Sequence, residues 1–283
     1  MTLVQLDLVQ LLELARSVTG DAERLFHNGP GEVRFKGDRD MVSETDVAIE
    51  RMIRSALRAQ TPGFGFEGEE TGVECAEVAT RWILDPLDGT ANYIRDLPLC
   101  GISLALVHEQ TPVLGVITLP YLRRRYWAAA GQGAWRDGRP IEASKAASLK
   151  DAMVAVGGYT LGRGDEERDR VLRGLVPQLA ERAQRTRMFG TSAMDLVSAA
   201  DGGVDASVTF ANRDWDMAAG VVIAREAGAK VSDADGHEHT TASLATIVAA
   251  PGVYEELLTV VRDAARGSRY APAPGSSYAP ESR

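Results

Sequence analysis

The stretch Trp82-Ile83-Leu84-Asp85-Pro86-Leu87-Asp88-Gly89-Thr90-Ala91-Asn92-Tyr93 constrains this chain more than any other. Its apolar start reads as a buried strand that delivers Asp85 to its carboxyl end, where Pro86 forces a turn. Asp88 follows three residues later, Gly89 allows close backbone approach, and Thr90 can open a helix. Two carboxylates at a strand end, beside free backbone N–H groups, suit a divalent cation and a bound phosphate. The same residues allow a plainer reading, with Asp88 or Thr90 as a helix cap and Asp85-Pro86 as an ordinary turn.

Other acidic segments carry the same ambiguity. Gly68-Glu69-Glu70-Thr71 follows a Gly- and Phe-rich segment fit for a short strand, and taken alone it is a solvated acidic loop. Ser43-Glu44-Thr45-Asp46 matches a capping box with Ser43 as the cap. Asp216 precedes the apolar run from Met217 to Ile223 and sits where an N-cap belongs. Yet Asp46, Glu69, Asp85, Asp88 and Asp216 all fall at element ends, where α/β proteins build their sites. If they converge, like charges raise one another's pKa and destabilise the fold unless cations offset them. Oxygen ligands with no clustered His or Cys favour Mg2+ over zinc or copper. Convergence itself is not written in the spacing.

Along the chain, helical periodicity covers residues 3–26 and a second helix starts near Ser43 and runs toward Pro62. Short apolar runs follow at Gly101 to Val107, Val113 to Leu119 and Arg125 to Ala130, with hairpin turns at Gly131-Gln132-Gly133 and Asp137-Gly138; they predict a largely antiparallel sheet. From about residue 150 strands and helices alternate. Strands are expected at Met153 to Val156, Thr186 to Phe189, Val204 to Phe210, Lys230-Val231 and Ala245 to Ala249. Helices are expected over Glu166 to Arg182, from Ser192, over Asp216 to Ala227, and up to Ala265. Three segments result: an α+β half over 1–149 with the acidic motifs, an α/β half over 150–266, and a tail over 267–283. The tail's Ser, Pro, Gly and Ala content, with Tyr-Ala-Pro at Tyr270 and Tyr278, predicts flexibility.

The 283 residues suffice for one large α/β domain or two packed halves. A net charge of −9 argues against general nucleic-acid binding, so positive charge for a phosphate has to be supplied locally. No apolar run approaches the length of a membrane span, and Asp7 and Glu13 interrupt the N-terminal pattern, so no signal peptide is read there. The expectation is a cytoplasmic protein without membrane partners. Cys75 and Cys100 read as idle thiols, His237 and His239 as a surface loop, and Arg123-Arg124-Arg125 as a solvated hairpin edge.

Taken together, Lys36 through Asp46, Gly68-Glu69-Glu70, Trp82 through Asn92, Gly190-Thr191-Ser192 and Trp215 through Gly220 resemble the inositol monophosphatase family, in order and spacing. The resemblance spans the chain to about residue 265. It implies an α/β (α+β) fold, a layered αβαβα sandwich of the inositol monophosphatase and fructose bisphosphatase type, usually homodimeric. It implies Glu69, Asp85, the Leu87 carbonyl, Asp88 and Asp216 as ligands to Mg2+, with two or three ions bound. Glu69, Thr90 and Asp46 then orient and activate the attacking water. Asp88, Gly89, Thr90, Gly190, Thr191, Ser192, Thr209 and Asp216 line the substrate and phosphate side.

The implied reaction is Mg-dependent hydrolysis of a small phosphate ester, with inositol monophosphate first in line. Many relatives carry a Glu six residues before the Trp-Asp pair, against inositol hydroxyls, and this chain has Thr209 there. Losing that acceptor opens the alternatives of histidinol phosphate or another polyol or sugar phosphate. No extra basic cluster near the motifs suggests a second phosphate, apart from Arg185 and Arg187. A non-catalytic metal- or ligand-binding regulator is the rival of another class; it predicts a missing ligand or a missing Thr90, and none is missing.

Overall fold

A computed structural model of the chain describes residues 7–37, 40–75, 77–159, 165–211 and 213–271. The first helix, α1 (Leu8–Phe26), is capped by Asp7 and buries Ala15, Val18, Thr19, Ala22 and Phe26, one stripe at helical spacing. A hairpin of β1 (Val33–Gly37) and β2 (Asp40–Ser43) leads into α2 (Glu44–Gln60). Both halves of the expected capping box form: Asp46 N–H reaches Ser43, and the Asp46 carboxylate accepts from the Ser43 N–H.

Next come β3 (Gly65–Gly68), β4 (Gly72–Glu74), β5 (Thr80–Asp88), the short α3 (Thr90–Tyr93), β6 (Gly101–His108), β7 (Thr111–Leu119), β8 (Arg124–Ala129), β9 (Ala134–Arg136) and β10 (Arg139–Pro140). They build an eight-stranded sheet ordered β10-β9-β8-β7-β6-β5-β3-β4, in which β3 and β5 are parallel and the other neighbours antiparallel. Asp137 and Gly138 both take positive φ in the β9–β10 turn, as such a tight hairpin requires. The second half supplies β11 (Met153–Val156), α4 (Glu166–Arg182), β12 (Arg185–Arg187), α5 (Ser192–Ala200), β13 (Ala206–Phe210), α6 (Asp214–Glu226), β14 (Lys230–Ser232), β15 (Ala245–Ala249) and α7 (Tyr254–Ala265). Its five strands run in the order β12-β11-β13-β15-β14.

Three apolar cores stack these elements into the expected αβαβα layers. One lies between α1, α2 and the large sheet. The second joins the other face of that sheet to α5, α6 and the small sheet. The third packs the small sheet on α4 and α7. Helix α6 is enclosed between two sheets and is buried on every side from Met217 to Ala224. Its approach to the large sheet depends on Gly115 of β7: a Cβ there would stand 2.3 Å from the Ala219 carbonyl oxygen.

Several expectations need correction. Pro86 does not end its strand. Strand β5 continues to Asp88 through a bulge, because Pro86 and its neighbour have no regular partner on β6. Helix α6 starts at Asp214, so Asp216 is its third residue and not its cap. Strand β12 stops at Arg187, short of Phe189. His239 is buried and its Nε2 bonds Thr246 Oγ1 at 2.8 Å, while His237 stays exposed beside Asp235. Cys75 and Cys100 are free thiols, exposed and buried respectively. The flexible tail does not begin at Gly267: Tyr270 is 2% exposed and meets Phe210 edge-on, with ring centroids 5.0 Å apart. Residues 272–283, with the second Tyr-Ala-Pro, lie outside the described residues. No helix among the described residues is long and apolar enough to cross a membrane.

Replacing Gly115 by Ala should destabilise the fold by about 1–3 kcal/mol, since the added methyl meets backbone that cannot rotate away. A urea midpoint unchanged from wild type would contradict this account of how α6 is seated.

Candidate active site

The β5 bulge decides where the acidic residues point. Residues three apart on a regular strand face opposite sides of the sheet. Here Asp85 pairs with Ser103 and Asp88 with Gly101, which are two apart on β6, so the bulge returns both carboxylates to one face. Strand β3 runs parallel alongside with Gly68 opposite Leu84, and the Glu69 N–H donates to the Leu84 carbonyl at 3.2 Å. Glu69 is thereby set next to Asp85. Asp216 enters from the first turn of α6, which two contacts hold on the sheet. Ser103 Oγ donates to the Trp215 carbonyl at 3.2 Å, and Arg81 Nη2 reaches Asp214 at 3.2 Å.

The four carboxylates lie within electrostatic reach of one another. Burial is the main cause that lifts Asp85 well above the usual carboxylate range, with the charges of Glu69, Asp88 and Asp216 and a hydrogen bond to Glu69 adding to it. Asp216 rises for the same reason, burial first and then Asp88 and Glu69, while Arg213 and Arg168 draw it back. Asp88 is pushed up to about 6 by burial, restrained by donors from Ala193 N–H, the Thr191 hydroxyl and Ser192 N–H. The Thr191 hydroxyl donates at 2.8 Å and also caps α5, which ties the second half of the chain to the first.

Asp46 is fully buried, takes donors from Ser43 and accepts from Thr90 Oγ1 at 3.1 Å. Burial and then Glu69 raise its pKa against those donors. Thr90 Oγ1 also lies 3.0 Å from the Leu87 carbonyl, so its single proton has two acceptors. Gly89 adopts φ 91°, and a Cβ there would stand 2.8 Å from the Leu99 carbonyl oxygen, so only glycine fits. Helix α3 is one turn long. Its leading N–H groups lack intrahelical acceptors, but its dipole adds little to anion binding. Gly190 packs against the Asn92 side chain. Thr209 lies on β13, 6% exposed, with its hydroxyl unpartnered among the described residues.

Some contributors carried no role in the sequence reading. Lys36 Nζ lies 2.8 Å from both Glu69 and Glu70, so it is the direct counter-charge at this end of the cluster. Glu70 is nonetheless pushed up to about 7 by burial, Lys36 pulling it down and Glu69 pushing it up. Asn92 Nδ2 donates to the carbonyls of Leu99 and Phe189, at 2.8 and 2.9 Å, and pins the loop before Gly190. Asp195 is buried near Asp88 with one oxygen unpartnered among the described residues. Lys36 and Asn92 stood inside motif segments, where a polar residue amid apolar neighbours was the available signal.

Among the described residues no three His, Cys, Asp or Glu side chains form a ready-made metal cage. The repulsion is present without the cage because Glu69 is turned to Lys36 and Asp88 to Thr191 and the α5 amides. The donor set still fits a hard divalent cation: it is all oxygen, strongly acidic, and costly to keep ionised without added positive charge.

Residues 7–266 match the sequence model of the inositol monophosphatase family. The chain belongs to that family. It is 35% identical over 254 residues to the probable inositol 1-monophosphatase ImpA of Mycobacterium tuberculosis, covering 89% of this chain and 93% of that protein. A histidinol-phosphatase of the same organism is 33% identical over 206 residues, covering 71% of this chain and 77% of that protein. Among solved structures, an IMPase of Thermotoga maritima superposes with a TM-score of 0.81 at 30% identity, covering 90% of this chain and 98% of that one. This family member is a phosphatase, a phosphoric monoester hydrolase acting on small phosphate esters, in a family generally dependent on metal.

Raised carboxylate pKa values fix the sign of a stability effect. Such a group binds more protons folded than unfolded, so its penalty is absent below about pH 4 and grows as pH rises toward the folded value. For Asp88 the window closes near its pKa of about 6, and Asp85 and Asp216, lifted well above the usual carboxylate range, act in the same direction. His239, pushed down to about 3 by burial and then Arg225, acts oppositely and gains stability as pH rises. The difference in melting midpoint with and without Mg2+ cancels His239. That increment should be larger at about pH 7.5 than at about pH 5.5, because protons compete with the metal. Asp85→Asn should raise the metal-free midpoint at the higher pH and lose most of the increment. A Mg2+ increment independent of pH would contradict the electrostatic reading.

Proposed function

We propose that this phosphatase is magnesium-dependent and hydrolyses a small phosphomonoester, inositol monophosphate being the foremost candidate, by direct attack of water. The observation that carries the reading is the group of buried carboxylates Asp85, Asp88 and Asp216, whose pKa values burial and the neighbouring acidic charges raise, next to Glu69, Asp46 and Thr90. ImpA of Mycobacterium tuberculosis is described as a probable inositol 1-monophosphatase, which supports the substrate class.

In this reading Glu69, Asp85, the Leu87 carbonyl, Asp88 and Asp216 hold two or three Mg2+ ions. Divalent ions there supply positive charge to the phosphate oxygens and make water a stronger acid. The chain's own residues do the positioning. N–H groups of Gly89 and Thr90 face the phosphate, with Gly190, Thr191, Ser192 and Thr209 on the substrate side. Thr90 Oγ1, with its proton directed to Asp46 or to Leu87 O, offers a lone pair to a water proton and so aligns that water. Glu69 takes up the proton as its bond to Lys36 loosens. Asp216, at the boundary of the two halves, accepts from a hydroxyl of the leaving group. Residues 1–149 thus carry the metal and phosphate motifs and 150–266 the substrate side. The net charge of −9 supports a role without nucleic acid. A cytoplasmic homodimer is the assembly we assign, on family resemblance.

Phosphate release from inositol 1-phosphate, histidinol phosphate and glycerol phosphate, with and without Mg2+, tests this directly. Turnover should need Mg2+, and Asp88→Asn should lower kcat by about 10²–10³-fold or more while circular dichroism stays native. Near-normal turnover by Asp88→Asn would remove Asp88 from the ligand set.

A further inference from the structure

We infer that Glu50 of α2 is a positioning residue for the metal end of the site: its carboxylate clamps the peptide that follows Glu69. The inference rests on the magnesium-phosphatase reading above and deepens it by naming what holds Glu69 beside Asp85. Glu50 is 1% exposed and stands one helical turn after Asp46. Its Oε2 accepts the Glu70 N–H at 3.0 Å, which joins α2 to the turn that leaves β3. Its Oε1 is buried without a partner among the described residues. A carboxylate buried on one hydrogen bond recovers only part of its lost hydration, so the contact costs stability.

The backbone opposite Glu50 leaves room for that carboxylate. A Cβ on Gly68, the last residue of β3, would stand 2.5 Å from Glu50 Oε2 and 2.8 Å from Oε1. Gly68 is not in the left-handed region, and it pairs in register with Leu84 of β5 and Gly72 of β4. Glycine is therefore needed at this position for space. Two successive N–H groups are then fixed to different layers. The Glu69 N–H donates to the Leu84 carbonyl of β5 at 3.2 Å, and the Glu70 N–H donates to Glu50 of α2. A planar peptide held in this way cannot turn without losing a bond, which leaves Glu69 only its side-chain rotamers. Because Glu50 binds backbone, it leaves the carboxylates of Glu69 and Glu70 free of it, and both meet Lys36 instead.

Asp46, Glu50 and Arg54 stand four apart and form one ridge along α2. Asp46 accepts from Thr90 Oγ1, Glu50 from the Glu70 N–H, and Arg54 Nη1 reaches Glu74 of β4 at 2.8 Å. The ridge thus holds the β3–β4 hairpin on both sides of its turn, and the same helix face touches Thr90. The charge on Glu50 strengthens its bond to the amide beyond what a neutral acceptor gives.

Titration calorimetry of Mg2+ into the full metal-free chain tests the clamp. Glu50→Ala should raise the Kd of the tightest Mg2+ about tenfold or more, as loss of a group behind a metal ligand does. Glu50→Gln keeps an acceptor for the Glu70 N–H and should stay within about threefold of wild type. Gly68→Ala pushes the carboxylate away without removing it. It should weaken Mg2+ binding about threefold or more in wild type and add nothing in the Glu50→Ala background. Unchanged affinity in Glu50→Ala, Glu50→Gln as weak as Glu50→Ala, or additive effects of the two substitutions overturns the inference and leaves the metal reading intact. Hydrogen exchange of the metal-free protein decides the same point where Glu50→Ala does not fold. The Glu70 amide should exchange about tenfold faster in Gly68→Ala than in wild type, with α1 and α7 unchanged, and equal exchange overturns the clamp. Wild type that binds no Mg2+ refutes the metal reading itself, and the inference with it.

Discussion

Asp85, Asp88 and Asp216 are held out of water against one another and against Glu69, and the rest of the molecule is arranged to keep them there. Removing an ionised carboxylate from water costs several kcal/mol even after relaxation, which is comparable to the whole stability of a domain. The three stacked apolar cores offset that cost. Gly115 lets α6 settle on β7 and bring Asp216 to the large sheet, and Arg81 bridges Glu67 of β3 to Asp214 of α6. The site is thus a strained electrostatic object on a rigid scaffold, the condition in which an added cation has the most to neutralise.

Positive charge supplied by the protein itself is sparse at this end. Lys36 serves Glu69 and Glu70 together from the β1–β2 hairpin. On the proposed reading Glu69 is shared between Lys36 and a bound ion, which would couple the hairpin to metal occupancy. Toward the second half of the chain, the charges of Arg213 and Arg168 draw the pKa of Asp216 down. Beyond residue 266, Arg269 and Tyr270 both bond Asp165, the cap of α4.

Local chemistry was legible in the sequence, and long-range geometry was not. Helix α4 and strand β11 start and end where the periodicity of Glu166 to Arg182 and Met153 to Val156 places them, and the Ser43–Asp46 box forms as its side chains dictate. Pro86 in isolation predicts a turn, and the bulge that replaces it depends on the register of β5 against β6, a partner the local sequence does not reveal. The apolar run after Asp216 predicts a cap there, whereas α6 starts at Asp214, which Arg81 holds from 133 residues away in sequence. Tyr270 looked mobile by composition, and its burial depends on Phe210 and Asp165.

The central claim is that the carboxylate cluster is partly protonated alone and ionises when a cation binds. Titration calorimetry of Mg2+ into metal-free protein near neutral pH, repeated in buffers of different ionisation enthalpy, counts the protons released. The account predicts a net release that shrinks as pH rises above the carboxylate pKa values and is smaller in Asp85→Asn. Mg2+ binding that releases no proton at neutral pH would mean that the carboxylates are already ionised, and would contradict it.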